Sequence, residues 1–394
     1  MIAKPRTTLN LSRLGLCVTI IAITPIKISH TKAFKGLFGV VLMVKASLIW
    51  LSYNSLGFMD IALKSIESVL NLDFDNYEVI VVDNASSDGS FEKIKEIAEE
   101  KRPSSVRVKF VRSDANRGYA GGMNLGWEAR DPETKYVAFL NNDLVLEPKS
   151  LRELIDYMEG DDKIAAVSGL IYLGDGGRIY SAGGYATDYW YFGGICWSAL
   201  EHEYPGINKP HYVTYADGAY MLVKAEAIRR TCPDGKPFID ETFLYLDDIL
   251  LGLILWNRGY RAVYVPVKSG IHYASLTTGS SKTGLYYGKR ATTIGINIIR
   301  TKLTYIRQLY IARRLVGYWL LSLINRRRRE EYSMLLRAVR DGLKLSPIIE
   351  KRVGILDLEK APHVHVNTID ALLELLQIKK IGRVNHEMLK QPET

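Results

Sequence analysis

The chain has 394 residues, 47% apolar and 24% charged, and its 52 Lys plus Arg against 43 Asp plus Glu give a formal net charge of +9. That balance fits a globular protein and excludes a disordered chain, a collagen-like repeat and a multi-span membrane protein. The length allows two or three domains at roughly 150 residues each, and the positive excess leaves nucleic acid, an anionic membrane surface or a phosphorylated substrate as partners.

The longest uncharged apolar run, Leu14 to Ile26, follows Lys4, Arg6 and Arg13 and contains Pro25. It falls short of the ~18 residues of a spanning helix and lacks the small-residue cleavage site of a signal peptide. Met43 stands three residues before the first predicted strand. Residues 1–43 therefore read as an appended leader or an over-extended reading frame, with a short interfacial anchor as the functional alternative.

From Ala46 strands and helices alternate. Ala46–Leu51, Tyr77–Val82, Val106–Val111, Tyr136–Leu140 and Ile164–Leu170 are short apolar strands. Between them Asp60–Leu70, Phe91–Glu100, Tyr119–Arg130 and a helix from Pro148 to about Glu159 have helical spacing. Near-continuous apolar strands separated by amphipathic helices predict an α/β fold, a mostly parallel sheet with helices on both faces. Ligands of such sheets bind beyond the carboxyl ends of the strands. There the sequence places Tyr53-Asn54, Asp83-Asn84, Asp114 to Asn116 and Asn141-Asn142-Asp143, so every strand from the first to the fourth ends in Asn or Asp. One or two such ends are ordinary turn chemistry; four on one rim predict a site.

Beyond Leu170 the regular order gives way to a Gly- and aromatic-rich stretch, Gly174–Tyr215, with Tyr185, Tyr189, Trp190, Tyr191, Phe192 and Trp197. These rings suit stacking on a sugar and suit core packing nearly as well. A strand near Val213–Ala216, a helix over roughly Asp247–Asn257, a strand at Arg261–Val265 and a further short strand ending at His272 follow. From Leu285 the pattern is helical to the end of the chain. Cys17, Cys196 and Cys232 are far apart and form no C-x-x-C pair, which indicates a reducing compartment and neither a disulfide framework nor a thiolate zinc site.

The charge is not evenly spread. Lys289 to Arg352 holds sixteen Lys or Arg and four Asp or Glu, a net of +12, so the remainder carries −3. Within it the uncharged stretch Leu315–Asn325, with Tyr318 and Trp319, runs into Arg326-Arg327-Arg328-Arg329. An apolar, aromatic segment bordered by arginines fits a helix lying on an anionic membrane surface, and equally a core helix with a solvated basic end. Nucleic acid is disfavoured, because no helix-turn-helix, zinc-finger or RNA-binding signature accompanies the charge.

Seven segments in order carry a resemblance: L-S-Y-N (Leu51–Asn54), V-V-D-N-A-S-S-D-G-S (Val81–Ser90), N-R-G-Y-A-G-G-M-N-L-G (Asn116–Gly126), F-L-N-N-D (Phe139–Asp143), D-G-A-Y-M-L-V-K (Asp217–Lys224), F-L-Y-L-D-D (Phe243–Asp248) and H-Y-A-S-L-T-T-G-S (His272–Ser280). Together they resemble family 2 of the inverting glycosyltransferases, in its rhamnosyltransferase-like branch. The resemblance implies a GT-A nucleotide-diphospho-sugar transferase fold over 44–284, with 285–394 a basic helical C-terminal region. It implies transfer of a sugar from a UDP- or dTDP-sugar, with inversion, to a glycan or polyprenyl-linked acceptor, on the cytoplasmic side and peripheral to the membrane.

Roles follow motif by motif. Asp83 would accept the imide N–H of uracil or thymine, while Asp88 caps the next helix. Asn54, Asn116, Arg117, Gly118 and Asn141 would lie along the ribose and diphosphate; the glycine pattern differs from G-x-G-x-x-G and follows the third strand rather than the first. Asp143 and His272 would hold Mg²⁺ or Mn²⁺, Asn141 replacing the first acid of the family's metal motif. Asp217 and Gly218 would face the donor sugar or acceptor. Asp248 matches the family's base, with Asp247 in the place of its glutamate; the head of a helix would keep Asp248 ionised. Leu250 stands where the family has another acid, and Ile249–Trp256 is apolar where it has a basic residue. Two rivals remain on sequence. A nucleotidyltransferase would carry a basic glycine-rich loop after the first strand, and Ser52–Phe58 has no Lys or Arg. A catalytically inactive sugar-nucleotide-binding or membrane-associated protein is compatible with Asn141 and Leu250.

Overall fold

The computed structural model describes residues 45–189, 192–274, 276, 282–376, 378 and 382–392, with the backbone alone at 326–328. The leader at 1–43 and, within the aromatic stretch, Trp190 and Tyr191 lie outside the described residues.

The strands are β1 (Ala46–Ser52), β2 (Tyr77–Asp83), β3 (Arg107–Arg112), β4 (Tyr136–Asn141), β5 (Leu144–Leu146), β6 (Ile164–Leu173), β7 (Ile179–Ser181), β8 (Gly184–Ala186), β9 (Phe192–Gly194), β10 (His211–Tyr212), β11 (Tyr220–Lys224) and β12 (Arg261–His272). All but β8 and β9, which pair with each other, join one mixed sheet. Its order is β10-β12-β6-β11-β4-β1-β2-β3, with β5 on β12 and β7 on β6. The helices are α1 (Met59–Leu70), α2 (Ser90–Lys101), α3 (Gly118–Ala129), α4 (Ser150–Glu159), α5 (Ala225–Thr231), α6 (Asp247–Asn257), α7 (Lys282–Ile298), α8 (Thr304–Ile324), α9 (Arg326–Val353) and α10 (Thr368–Leu375).

Strand residues alternate between two cores, as the two-residue period requires. Leu48, Trp50, Val79, Val81, Ala138 and Leu140 pack with the apolar faces of α1, α2 and α4. Ile49, Ile80, Val82, Val137 and Phe139 pack with α3 and α6. Each such Leu, Ile, Val or Phe, fully buried, contributes about 1.5–3 kcal/mol of transfer free energy.

The parallel half, β3-β2-β1-β4, is in register at its carboxyl end: Ser52 pairs with Asp83, Leu51 with Asn141, and Asp83 with Arg112. The sheet is mixed rather than parallel throughout, because β11 enters antiparallel between β4 and β6. The strand expected near Val213–Ala216 is instead a single bridge from Tyr215 to Gly184, and the ladder strand lies a few residues on, at β11. The separate strands expected at Arg261–Val265 and before His272 are one strand, β12, bent by register shifts against β6. The carboxyl end of β12 also pairs antiparallel with β5, His272 opposite Leu144.

The chain is not helical to its end. After Val353 it forms short extended pieces, Leu356–Asp357 paired with Ile299–Arg300 and His363–Val364 paired with Leu389–Lys390, around α10. Residues of α7, α9 and this tail (Ala291, Ile294, Ile349, Val353, Leu356, Val364) share a core with α3 and α6. Among the described residues no helix is long and apolar enough to cross a membrane.

Candidate active site

The rim residues are stitched together across the strand ends. The Asn54 amide N–H donates to Ser86 Oγ at 2.9 Å, and Asn54 Oδ1 accepts the Ser87 N–H at 2.9 Å. Asn142 Nδ2 donates to Ser55 Oγ at 2.7 Å. Asp88 accepts the N–H groups of Ser90 (3.0 Å) and Leu56 (2.9 Å). It thus serves the first turn of α2 as expected, although the cap residue itself is Gly89, at φ +81°.

Asp83 ends β2 with no exposed surface. Arg112 Nε lies 3.0 Å from Oδ2, and the Ser86 N–H is shared between both oxygens at 3.3 and 3.2 Å. Its neighbour Asn84, placed on the rim by the sequence but given no role there, organises the next loop. The Asn84 side chain accepts the Arg117 N–H at 2.9 Å and donates to Asn116 Oδ1 and the Gly118 carbonyl at 3.0 and 2.9 Å. Asn116 Oδ1 in turn accepts the Gly118 N–H at 2.8 Å. The backbone amides of Arg117 and Gly118, which a diphosphate would otherwise use, are thus already taken by side chains. What this loop presents outward is the exposed Arg117 guanidinium and Asn116. Gly118 has φ +68°, and a Cβ there would lie 2.0 Å from the Phe243 carbonyl oxygen.

Because β4 leads through Asn142-Asp143 into β5, and β5 pairs with the end of β12, His272 arrives beside Asp143. Its Nε2 lies 2.9 Å from Asp143 Oδ1 and 3.3 Å from Asn141 Nδ2. Asp143 is 4% and His272 3% exposed, and His272 Nδ1 is buried with no hydrogen-bond partner among the described residues. An octahedral cation with bonds of ~2.0–2.1 Å separates adjacent ligand atoms by about 2.9 Å. The carboxylate–imidazole pair therefore fits two neighbouring positions of a Mg²⁺ or Mn²⁺ shell. The edge of the Tyr180 ring lies against His272, with centroids 4.4 Å apart, and half-exposed Trp197 packs on Tyr180 at 5.2 Å. The aromatic stretch thus divides: Tyr180 and Trp197 border the pair, while Tyr185 and Tyr189 are buried in cores.

The strand-terminal Asn141 N–H donates to the Ala219 carbonyl at 3.2 Å, which fixes Asp217-Gly218 beside the same rim. Asp217 Oδ1 accepts the Ala219 N–H at 2.9 Å, and the Gly218 carbonyl accepts the Tyr119 hydroxyl at 2.8 Å. The Gly218 N–H donates to Asp248 Oδ2 at 3.3 Å, and Asp248 Oδ1 accepts the Ile249 N–H at 2.9 Å. Burial, with Asp217 adding to it, pushes the Asp248 carboxyl up to about 7. The expectation that the head of α6 keeps this acid ionised is thus corrected: desolvation outweighs the amide hydrogen bonds that lower its pKa. Asp247 is turned inward, accepting the Thr242 hydroxyl, and burial pushes its carboxyl up to about 8. The pair follows a strained approach, with Phe243, Tyr245 and Leu246 at φ +60°, +68° and +70°. Such non-glycine conformations cost about 1–3 kcal/mol each and cluster at functional sites.

Residues 47–231 match the model of Glycosyl transferase family 2. An uncharacterized glycosyltransferase of Haemophilus influenzae is 26% identical over 127 residues, covering 32% of this chain and 36% of that protein. The poly-beta-1,6-N-acetyl-D-glucosamine synthase of Staphylococcus epidermidis is 30% identical over 105 residues, 27% of this chain and 24% of that protein. The chain spans 36% or less of the length of the first curated relatives it matches. Among solved structures, GalNAc-T7 with UDP, GalNAc and Mn²⁺ superposes with a TM-score of 0.51 at 12% identity, covering 79% of this chain and 58% of that one. The fold is of the GT-A type.

Proposed function

We propose, on the premise that residues 47–231 are a glycosyl transferase family 2 domain, that this chain transfers a sugar from a UDP- or dTDP-sugar, with inversion, to a glycan or lipid-linked acceptor. The observation that carries the reading is one connected rim, running from Asp143 and His272 through the Asn141–Ala219 hydrogen bond and Gly218 to Asp248.

In this reading Asp143 and His272 would hold Mg²⁺ or Mn²⁺, which would supply positive charge to offset that building on the departing nucleoside diphosphate. Asp83 reads the base, exchanging the weak, shared Ser86 N–H for the imide N–H of uracil or thymine. Asn54, Asn116 and Asn141 line the ribose and diphosphate, Gly118 lets the loop turn beneath them, and the Arg117 side chain supplies the cationic contact in place of the occupied amides. Asp217 and Gly218 hold the donor sugar or acceptor against Asp248. Asp248 takes the proton of the acceptor hydroxyl. That oxygen bonds to the anomeric carbon on the face opposite the diphosphate as the carbon–diphosphate bond breaks, so configuration inverts. A carboxyl near 7 suits a base that must hold a proton briefly and release it. Asp247 is a positioning residue that braces the head of α6 through Thr242.

Polysaccharide assembly at the cytoplasmic face of a membrane is the setting we assign. The relative from Staphylococcus epidermidis is named as a polysaccharide synthase. On α8 the exposed residues Tyr305, Leu309, Val316, Trp319, Leu320 and Leu323 repeat at helical spacing and form one apolar stripe. The sequence then carries four consecutive arginines, 326 to 329, a charge that suits an anionic membrane surface. To test the reaction, the chain is incubated with UDP- and dTDP-sugars, Mn²⁺ and a polyprenyl-diphosphate-linked sugar, and the product anomer is read by NMR. Inverted configuration is expected; retained configuration overturns the mechanism.

A further inference from the structure

Asp188, Glu359 and His363 come together away from the rim, and the chemistry of each points the same way. Asp188 follows β8 and is fully buried. Its Oδ2 accepts from His365 Nδ1 at 2.6 Å and from the Val366 N–H at 3.2 Å. Glu359 Oε2 is held by two exposed lysines, Lys302 and Lys390, each at 3.1 Å. His363, 1% exposed, donates from Nδ1 to the Ala361 carbonyl at 2.9 Å. Every residue thus has one polar atom satisfied. The other three, Asp188 Oδ1, Glu359 Oε1 and His363 Nε2, are buried, lack a hydrogen-bond partner among the described residues, and converge within 4.8 Å of one another.

With its proton fixed on Nδ1, His363 turns a lone pair from Nε2 toward two carboxylate oxygens. That arrangement is repulsive unless a cation lies between them, either a proton or a metal ion. Charge-assisted N–H···O bonds are about 2.7–2.9 Å long. Here Nε2 lies 3.2 Å from Asp188 Oδ1 and 3.4 Å from Glu359 Oε1. Zinc bonds of ~2.0–2.2 Å at tetrahedral angles set ligand atoms about 3.4 Å apart, close to both imidazole–carboxylate separations. The Nδ1–H···O=C bond of His363 and the N–H groups on Asp188 Oδ2 are the outer partners that orient metal-binding imidazoles and carboxylates.

We propose that Asp188, Glu359 and His363 bind a zinc ion, distinct from the Asp143–His272 pair and sharing no residue with it. Asp188 comes from the catalytic domain; Glu359 and His363 flank Ala361-Pro362 in the tail that follows α9. The ion therefore ties the C-terminal segment, whose Val364 already bridges to Thr187, onto the β8–β9 hairpin. Three protein ligands leave a fourth tetrahedral position for water.

The experiment uses the full chain, stripped with chelator and then titrated with zinc alone. Metal content is measured after desalting, and the melting temperature is followed. The wild type, an Asp143→Asn/His272→Gln double variant, and that double variant with His363→Gln or Glu359→Gln added are compared. The double variant is expected to retain about one zinc per chain and to melt higher with zinc, since binding to the folded state alone stabilises it. His363→Gln should lose both effects, and Glu359→Gln, at a half-exposed position that spares the core, should bind at least about tenfold more weakly. Cobalt in the double variant should give the strong visible absorption of a tetrahedral site. Failure of the double variant to retain zinc or to shift in melting temperature overturns the proposal and leaves a proton-bridged triad. Undiminished zinc binding by Glu359→Gln overturns it equally.

Discussion

Asp143 and His272 are 129 residues apart in sequence, yet Oδ1 of one lies 2.9 Å from Nε2 of the other. The cause is topological: β5 follows Asp143 directly, and its antiparallel partner is the end of β12, with His272 itself opposite Leu144. That separation fits one edge of an octahedral shell, and in the proposed reading loss of the pair should act on metal and donor before it acts on the fold. Asp143→Asn or His272→Gln is expected to weaken Mn²⁺ binding by about 10–100-fold in calorimetric titration, with the circular dichroism spectrum unchanged.

The pH dependence of the reaction follows from the raised Asp248 carboxyl. Burial, reinforced by Asp217, pushes it to about 7. A base works only when deprotonated, so kcat/KM should rise with pH through about 7 and level off above it. Removing the neighbouring charge in Asp217→Asn should shift the rise to lower pH, because a nearby anion disfavours ionisation. A pH–rate profile of the two proteins reads both the midpoint and the direction of the shift.

Gly118 starts α3 at φ +68°, and a Cβ would meet the Phe243 carbonyl oxygen at 2.0 Å. Gly118→Ala combines a left-handed backbone with a clash against backbone, and should destabilise the fold by about 2–4 kcal/mol in urea titration. Since Phe243 opens the strained segment before Asp248, the surviving folded fraction should also show reduced kcat.

The membrane setting we assign rests on the α8 stripe. Leu320 and Leu323 are 52% and 56% exposed, so replacing both with Asp should leave the melting temperature within a few degrees. Sedimentation with anionic vesicles should fall sharply for that variant, and high salt should weaken the wild type's binding, as expected where arginines meet head groups.

Much of this was legible in the sequence. The near-continuous apolar runs Ala46–Leu51 and Tyr77–Val82 marked the parallel strands, and the Asn and Asp residues ending them marked the rim. The partnership of Asp143 with His272 came from resemblance, since pairing between distant strands leaves no local periodicity. The antiparallel strand Tyr220–Lys224 was passed over because Val213–Ala216 nearby has the same apolar look, and only pairing with β4 and β6 distinguishes them. That Asn84 and Asn116 occupy the amides of Arg117 and Gly118 is a three-dimensional fact, because an asparagine near a turn has many partners within reach. The helix-dipole argument for Asp248 failed because a sequence shows position on a helix but not desolvation.

The most direct test of the central claim is a comparison of sugar transfer by the wild type and Asp248→Asn, with donor affinity measured on the same samples. The wild type is predicted to transfer from a UDP- or dTDP-sugar in the presence of Mn²⁺. Asp248→Asn is predicted to bind the donor within about threefold of wild type while its transfer rate falls by about 10²–10⁴. Transfer at the wild-type rate by Asp248→Asn, or a wild type that binds these donors and neither transfers nor hydrolyses any of them, would contradict the account.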